Sequence, residues 1–295
     1  MNMQHKKYAI YTAMVGGYDE IMQPMVVDDR FDYILFSNDI KEDRVGVWQV
    51  RPIAYTNHDN TRICRYVKTH PEELLSGYDA SVWMDSNIRI ITSYLYGRVV
   101  ELYRCGVEVA SINHQGRQCI YDEAFEVLDE FCESEEIVLK WCHKLRKEKY
   151  PVNNGLFETG VLYRIASSKT AFLDELWWQC INDYSKRDQL SFNYALWKLD
   201  LFCAYILPYD VNSNNSVDIK RVEHKANFSV KIISYKHGIP WLIRYYLKNP
   251  SKKNGIRQLY FRISGLCCPM AVAFIMGQYY RLKHMFRFYL RKCIH

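Results

Sequence analysis

Ala80-Ser81-Val82-Trp83-Met84-Asp85-Ser86-Asn87 is the stretch on which the reading of this chain turns. A short, mostly apolar run that ends on a carboxylate reads as a buried strand delivering an acid to the edge of a sheet. In open α/β sheets that carboxyl edge is where ligands bind. One carboxylate with an amide oxygen two residues later suits Mg²⁺ or Mn²⁺, which take hard oxygen ligands and bridge to phosphate. Such a cation would offset the negative charge that grows on a departing diphosphate. The same triplet also fits a plain turn or a helix cap, because Asp serves both.

Working outward, residues 8–15 read as a buried strand closed by Gly16-Gly17-Tyr18-Asp19, and residues 31–37 as a second strand closed by Asn38-Asp39. Residues 60–75 have helical spacing, with Ile63, Val67 and Leu74 on one side and Arg62, Arg65 and Lys68 nearby. Strand, helix and strand in this order predict a parallel sheet with helical crossovers. Beyond the triplet, the pattern predicts a helix over 88–104, a strand over 107–113, one or two helices over 121–149 and a strand over 160–164. Helices over 168–184 and 189–199 follow, then an Asn- and Ser-rich loop over 211–217. No internal repeat interrupts the pattern.

The length of 295 residues suits one large domain with an appendage, and 49% hydrophobic with 24% charged residues describes a folded globular chain. The 24 tyrosines raise the aromatic share to 15%, which suits carbohydrate faces or membrane interfaces. The net charge of +6 conceals a division: residues 224–295 hold 14 Lys and Arg and no acid, leaving 25 basic against 33 acidic residues before them. Ten cysteines without a CxxC pair argue against zinc ribbons and disulfide frameworks, and the polar start shows no signal peptide, so a reduced cytosolic setting is expected.

Residues 263–280 carry no charge, but Gly265, Pro269, Gly277 and Gln278 weigh against a span. After them Leu282, Met285, Phe286, Tyr289 and Cys293 share one helical face ringed by Arg281, Lys283, Arg287, Arg291 and Lys292. That is a basic amphipathic helix suited to an anionic headgroup layer. Its uncharged centre fits lipid better than nucleic acid, and a helical pair packed on the main domain is the other reading. The expected division is a catalytic domain over 1–237 and a membrane-associating tail over 238–295, peripheral on the cytoplasmic face of the membrane.

Several spaced segments carry a family resemblance: Tyr11-Thr12-Ala13-Met14-Val15-Gly16-Gly17-Tyr18-Asp19, Phe36-Ser37-Asn38-Asp39, Arg62, Arg65 and Lys68, Val82 to Ile88, His114 and Arg117, Glu158-Thr159-Gly160-Val161 with Arg164, and Arg187-Asp188-Gln189-Leu190-Ser191. Together they make the chain resemble a glycosyltransferase-like family of plants and bacteria, long catalogued as a domain of unknown function. Its plant members are associated with pectic mucilage and its bacterial members with surface-polysaccharide genes. The resemblance implies an α/β fold of the GT-A (Rossmann-like) type, with a mixed, mostly parallel sheet flanked by helices. It also implies Mn²⁺ or Mg²⁺ at Asp85 and Asn87, a nucleotide-sugar donor, expected to be uridine-linked, and a glycan or lipid-linked glycan acceptor. A non-catalytic scaffold or glycan-binding protein is the alternative. Asn87 stands where a second acid is usual, so metal binding is expected to lean on the donor's own diphosphate.

On this reading Thr12, Gly16 and Tyr18 meet base or ribose at the end of the first strand, where an ordinary tight turn is the other explanation. Asn38 faces a uracil edge or simply makes a turn, and Arg62, Arg65 and Lys68 reach phosphate or stay solvated. His114 and Arg117 are sugar or phosphate contacts, and Trp83, Ser86, Arg164, Gln189 and Lys225 are further substrate positions. Asp188 caps a helix or stands on the acceptor side, where an inverting enzyme needs a base and a retaining one a positioning group. Glu158 is the second candidate for that role. His224 and His237 are candidates for a late histidine ligand to the metal.

Overall fold

The computed structural model describes residues 8–17, 19–129 and 132–222. Along the chain lie β1 (Tyr8–Ala13), β2 (Phe31–Phe36), β3 (Arg44–Val45), β4 (Trp48–Arg51), α1 (Asn60–Thr69), α2 (Pro71–Leu74), β5 (Ala80–Met84), β6 (Ile88–Ile90) and α3 (Tyr94–Arg104). Then come β7 (Val109–Asn113), α4 (Ile120–Asp129), α5 (Glu135–Lys147), β8 (Phe157–Ile165), α6 (Ser168–Asp183), α7 (Gln189–Lys198), β9 (Cys203–Tyr205) and β10 (Ile219–Arg221).

Eight strands form one sheet in the order β3-β4-β2-β1-β5-β8-β7-β9, and β6 pairs with β10 in a separate ribbon. β4, β2, β1 and β5 run parallel to one another, whereas β3 is antiparallel to β4 and β8 is antiparallel to both β5 and β7. The expected α/β architecture, mixed and mostly parallel, is what the chain adopts.

Helices cover both faces of the sheet, so the central strands read as continuous apolar runs. Ile10, Val82 and Met84 pack with Leu95, Tyr96 and Val99 of α3 on one face. Tyr11 and Trp83 pack on the other with Ile63 and Val67 of α1, Trp177 of α6 and Phe192 of α7. Because side chains alternate along a strand, Asp85 emerges on the Trp83 side, toward α1.

Three expectations change and one, left open between one helix and two, is decided. Ile88–Ile90 is a strand rather than the start of a helix, since it pairs with residues 219–221; the helix begins at Tyr94. The helix expected over 60–75 breaks at His70, because Pro71 opens a second short helix. Residues 121–149 form two helices, the second capped by Ser134, which accepts from the Ile137 N–H. The 211–217 loop leads into a strand, β10, that the sequence reading did not contain. Among the described residues no helix is long and apolar enough to cross a membrane. The tail over 238–295, its boundary at residue 237, and Tyr18, His224, Lys225 and His237 all lie outside the described residues.

Candidate active site

Asp85 leaves β5 with its backbone N–H donating to the Gly160 carbonyl (2.8 Å). Its Oδ1 accepts from Trp83 Nε1 at 2.9 Å and lies 3.8 Å from Lys68 Nζ, while the side chain remains 33% exposed. Lys68 is fully buried near the end of α1, with its ammonium over the rings of Trp83 (5.4 Å) and Trp177 (5.6 Å). Burial lowers this ammonium from its ordinary range, and Asp188 and Asp85 support its charge against that loss.

Asp188 is the carboxylate that makes the buried lysine tolerable. Its Oδ2 accepts from Lys68 Nζ and from Thr159 Oγ1 (2.9 Å), and its Oδ1 pairs with Arg65 at 3.1 Å. Burial opposes its ionisation, but Arg65 and Lys68 prevail and hold the carboxyl well below the usual range. Asp188 does stand at the N-cap of α7, yet its side chain makes no cap hydrogen bond. Capping is therefore not its work. Nor does the geometry suit removal of an acceptor proton, since both oxygens are engaged and a strongly acidic carboxyl is a poor base. It positions Lys68 and Arg65.

Across from Asp85 stands Gly160. A Cβ built there would lie 3.2 Å from Asp85 Oδ2, 3.1 Å from Ile88 Cδ1 and 2.9 Å from Arg221 Nη2. The position is too tight for any side chain, and glycine there lets a carboxylate and a guanidinium both close on the backbone of β8. Arg221 comes from β10, a residue that sequence reasoning missed. Asn87 secures this arrangement: its Nδ2 donates to the Val222 carbonyl (2.8 Å) and its backbone carbonyl accepts from the Val222 N–H (2.8 Å). The residue expected as a second metal ligand is 5% exposed and clamps the strand beside the site.

Among the described residues no three His, Cys, Asp or Glu gather as a metal site. What is offered is one carboxylate, Asp85, whose Oδ1 is held by Trp83 and whose side chain stays 33% exposed. That fits a hard cation whose other ligands come from a phosphate group and water.

The profile described as TOD1/MUCI70, glycosyltransferase-like domain, matches residues 1–222. The chain belongs to this family. It accordingly carries a glycosyltransferase-like domain. No curated protein matches its sequence. Among solved structures it is similar to the WbbM bifunctional glycosyltransferase, at 10% identity and a TM-score of 0.43 over 72% of this chain and 40% of that one. It is also similar to mouse xyloside xylosyltransferase 1, at 10% identity and a TM-score of 0.44 over 73% of this chain and 97% of that one. The chain thus spans less than half of WbbM.

In this member of the TOD1/MUCI70 family the remaining expected residues divide between the site edge and the framework. Gly16 closes the first strand at φ +79°, where a Cβ would meet Asn60 Nδ2 at 2.3 Å, and its N–H donates to Asp39. Thr12 Oγ1 is buried with no hydrogen-bond partner. Ser86 donates to Asp19 Oδ2 (3.1 Å), which ties the carboxylate triplet to the glycine turn. Gln189 opens α7 beside Asp188, half-buried.

Three expected contacts prove to be framework. Asn38 spends its amide on Ile53, accepting from its N–H (2.9 Å) and donating to its carbonyl (3.0 Å), rather than presenting it to a base. Arg62 donates to the carbonyls of Ile181, Asn182 (3.3 Å) and Tyr184 (3.3 Å), capping the end of α6 instead of reaching phosphate. Arg164 is 1% exposed and pairs with Asp174 in the core, out of reach of substrate.

His114 and Arg117 form a third local unit near Glu158. The N–H groups of Gly116 (3.2 Å) and Arg117 (3.0 Å) point at His114 Nδ1, and burial followed by the Arg117 charge pushes the imidazole down to about 4. Arg117 itself is held by Glu123 at 2.6 Å. Glu158 is 8% exposed, accepts from Ser213 Oγ (2.7 Å) and lies 3.8 Å from Arg221. As a base it would need to leave both.

Proposed function

We propose that the chain transfers a sugar from a nucleotide diphosphate donor, a uridine one, to a glycan acceptor in a reaction assisted by Mn²⁺ or Mg²⁺. One observation carries the reading: Asp85, at the carboxyl end of a parallel strand, has one oxygen fixed by Trp83 while its side chain stays 33% exposed at the sheet edge. Asp85 Oδ2 would hold the cation, and the donor's diphosphate would complete its ligands. When bound, the metal supplies Lewis-acid neutralisation of the leaving group. The protein's own share is orientation and charge. Trp83 fixes the carboxylate, Lys68 adds positive charge beneath it, and Asp188 keeps Lys68 and Arg65 in place.

The test is donor hydrolysis or transfer with a panel of nucleotide sugars, with and without Mn²⁺. Asp85→Ala should lose about 100-fold or more of the rate, the range seen when a key electrostatic group is removed. Full activity in that variant would end the metal assignment. Titration of the full chain with UDP plus Mn²⁺ separates an enzyme from a scaffold, which should give no metal-dependent heat.

We further propose that residues 224–295 bring the enzyme to the cytoplasmic face of the membrane, where a lipid-linked glycan would be its acceptor. The support is their 14 basic side chains without an acid, each of which near anionic lipid contributes about 1 kcal/mol. Deleting 239–295 should abolish co-sedimentation with anionic vesicles and leave the protein in the supernatant. Equal sedimentation of both forms would refute the membrane role.

A further inference from the structure

We propose that Arg221 is the guanidinium that receives the donor's diphosphate, and that Asn87 serves the site by clamping the strand that carries it. This rests on the donor reading above and names a residue for it. Arg221 Nη2 and Asp85 Oδ2 lie 2.9 and 3.2 Å from one common point, the place of the absent Gly160 side chain. They are near neighbours, yet Arg221 pairs with Glu158 at 3.8 Å and not with Asp85. An anion and a cation side by side, each about one-third exposed and not paired with each other, suit a ligand that is positive toward Asp85 and negative toward Arg221. A metal-chelated diphosphate has that polarity, and a neutral sugar or nucleoside does not.

Three other cations near this edge are already spent. Lys68 and Arg65 are held by Asp188, and Arg117 by Glu123. Arg221 has surplus donors: it is 36% exposed, and its one ionic partner among the described residues is the distant Glu158. A guanidinium presents a planar fork of N–H groups that matches phosphate oxygens. Glu158, fixed by Ser213 at 2.7 Å, stands behind that fork as its positioning residue. The register keeps the whole unit in place, since Arg221 pairs with Ile88 across the β6–β10 ribbon and the Asn87–Val222 bonds close its end.

The experiment is calorimetric titration of the full chain with UDP, with and without Mn²⁺, and with uridine as the phosphate-free control. Arg221→Ala should weaken UDP roughly 10- to 100-fold, the worth of one or two charge-assisted hydrogen bonds, and leave uridine unchanged. Arg221→Lys should recover only part, because an ammonium lacks the fork. Asn87→Ala should weaken UDP in EDTA as well as in Mn²⁺, as expected of a clamp and not of a metal ligand. Melting temperatures within a few degrees of the parent show that all three variants fold. UDP bound by Arg221→Ala as tightly as by the parent overturns this assignment alone. A parent chain that binds no UDP at all overturns the donor reading, and this one with it.

Discussion

Arg164 with Asp174, and Lys68 with Asp188 and Arg65, are two buried ionic clusters that meet in one residue. The Lys68 carbonyl accepts from Arg164 and from Tyr11 (2.9 Å), while its ammonium reaches Asp188. The first cluster is sealed, with both side chains 1% exposed. The second opens onto Asp85, 33% exposed. They also differ in arithmetic. Asp174 has one cation, and burial pushes its carboxyl up to about 7 in spite of Arg164. Asp188 has two, which overcome burial and hold it far down. A lone counter-ion serves packing; in the second cluster two cations are shared between Asp188 and the partly exposed Asp85, which ties the buried charges to the sheet edge.

The contrast breaks most sharply at Asp188. Asp188→Leu strands two buried cations and should cost about 3–5 kcal/mol in urea denaturation, together with UDP binding. If stability held, the two cations would have other support and the comparison would fail. A smaller effect separates the clusters. Replacing both core partners, Arg164→Met with Asp174→Leu, should give a protein more stable than either single variant and still able to bind UDP, since apolar residues can stand in for a sealed pair. Loss of UDP binding in that double variant would mean that the core pair also shapes the site.

The smallest effect is with pH. The folded-state value of Asp174 lies above the ordinary carboxylate value, so its contribution is fully present below that value and is lost as pH rises through about 7. Between about pH 5 and pH 8 the parent should therefore lose on the order of 1 kcal/mol or more relative to Asp174→Asn. Asp188 has the opposite sign: its contribution is present above the ordinary value and is lost only in strong acid. Unfolding midpoints of the parent and Asp174→Asn that ran parallel over this range would remove the distinction.

Much of this was legible in the residues. The Ala80–Met84 run could only be a buried strand, and the acid after it had to surface at the sheet edge. The three-residue spacing of Arg62, Arg65 and Lys68 placed them on one helix, but spacing is silent on neighbours, and α6 claims the first of them. Arg164 looked like a substrate contact because nothing local announces Asp174 ten residues later as its partner. Ile88–Ile90 looked helical because its partner strand lies 131 residues away at 219–221. Arg221 was invisible for the same reason: a three-residue strand after an Asn- and Ser-rich loop has no periodicity to read.

The Asn87–Val222 clasp has a practical consequence for anyone who trims the chain. A fragment ending before residue 219 would keep every strand of the main sheet and so should fold, but it would forfeit one wall of the cleft along with Arg221. Recombinant boundaries therefore belong downstream of Val222. A soluble but inactive shorter product would be a fault of the cut, not evidence against the enzyme.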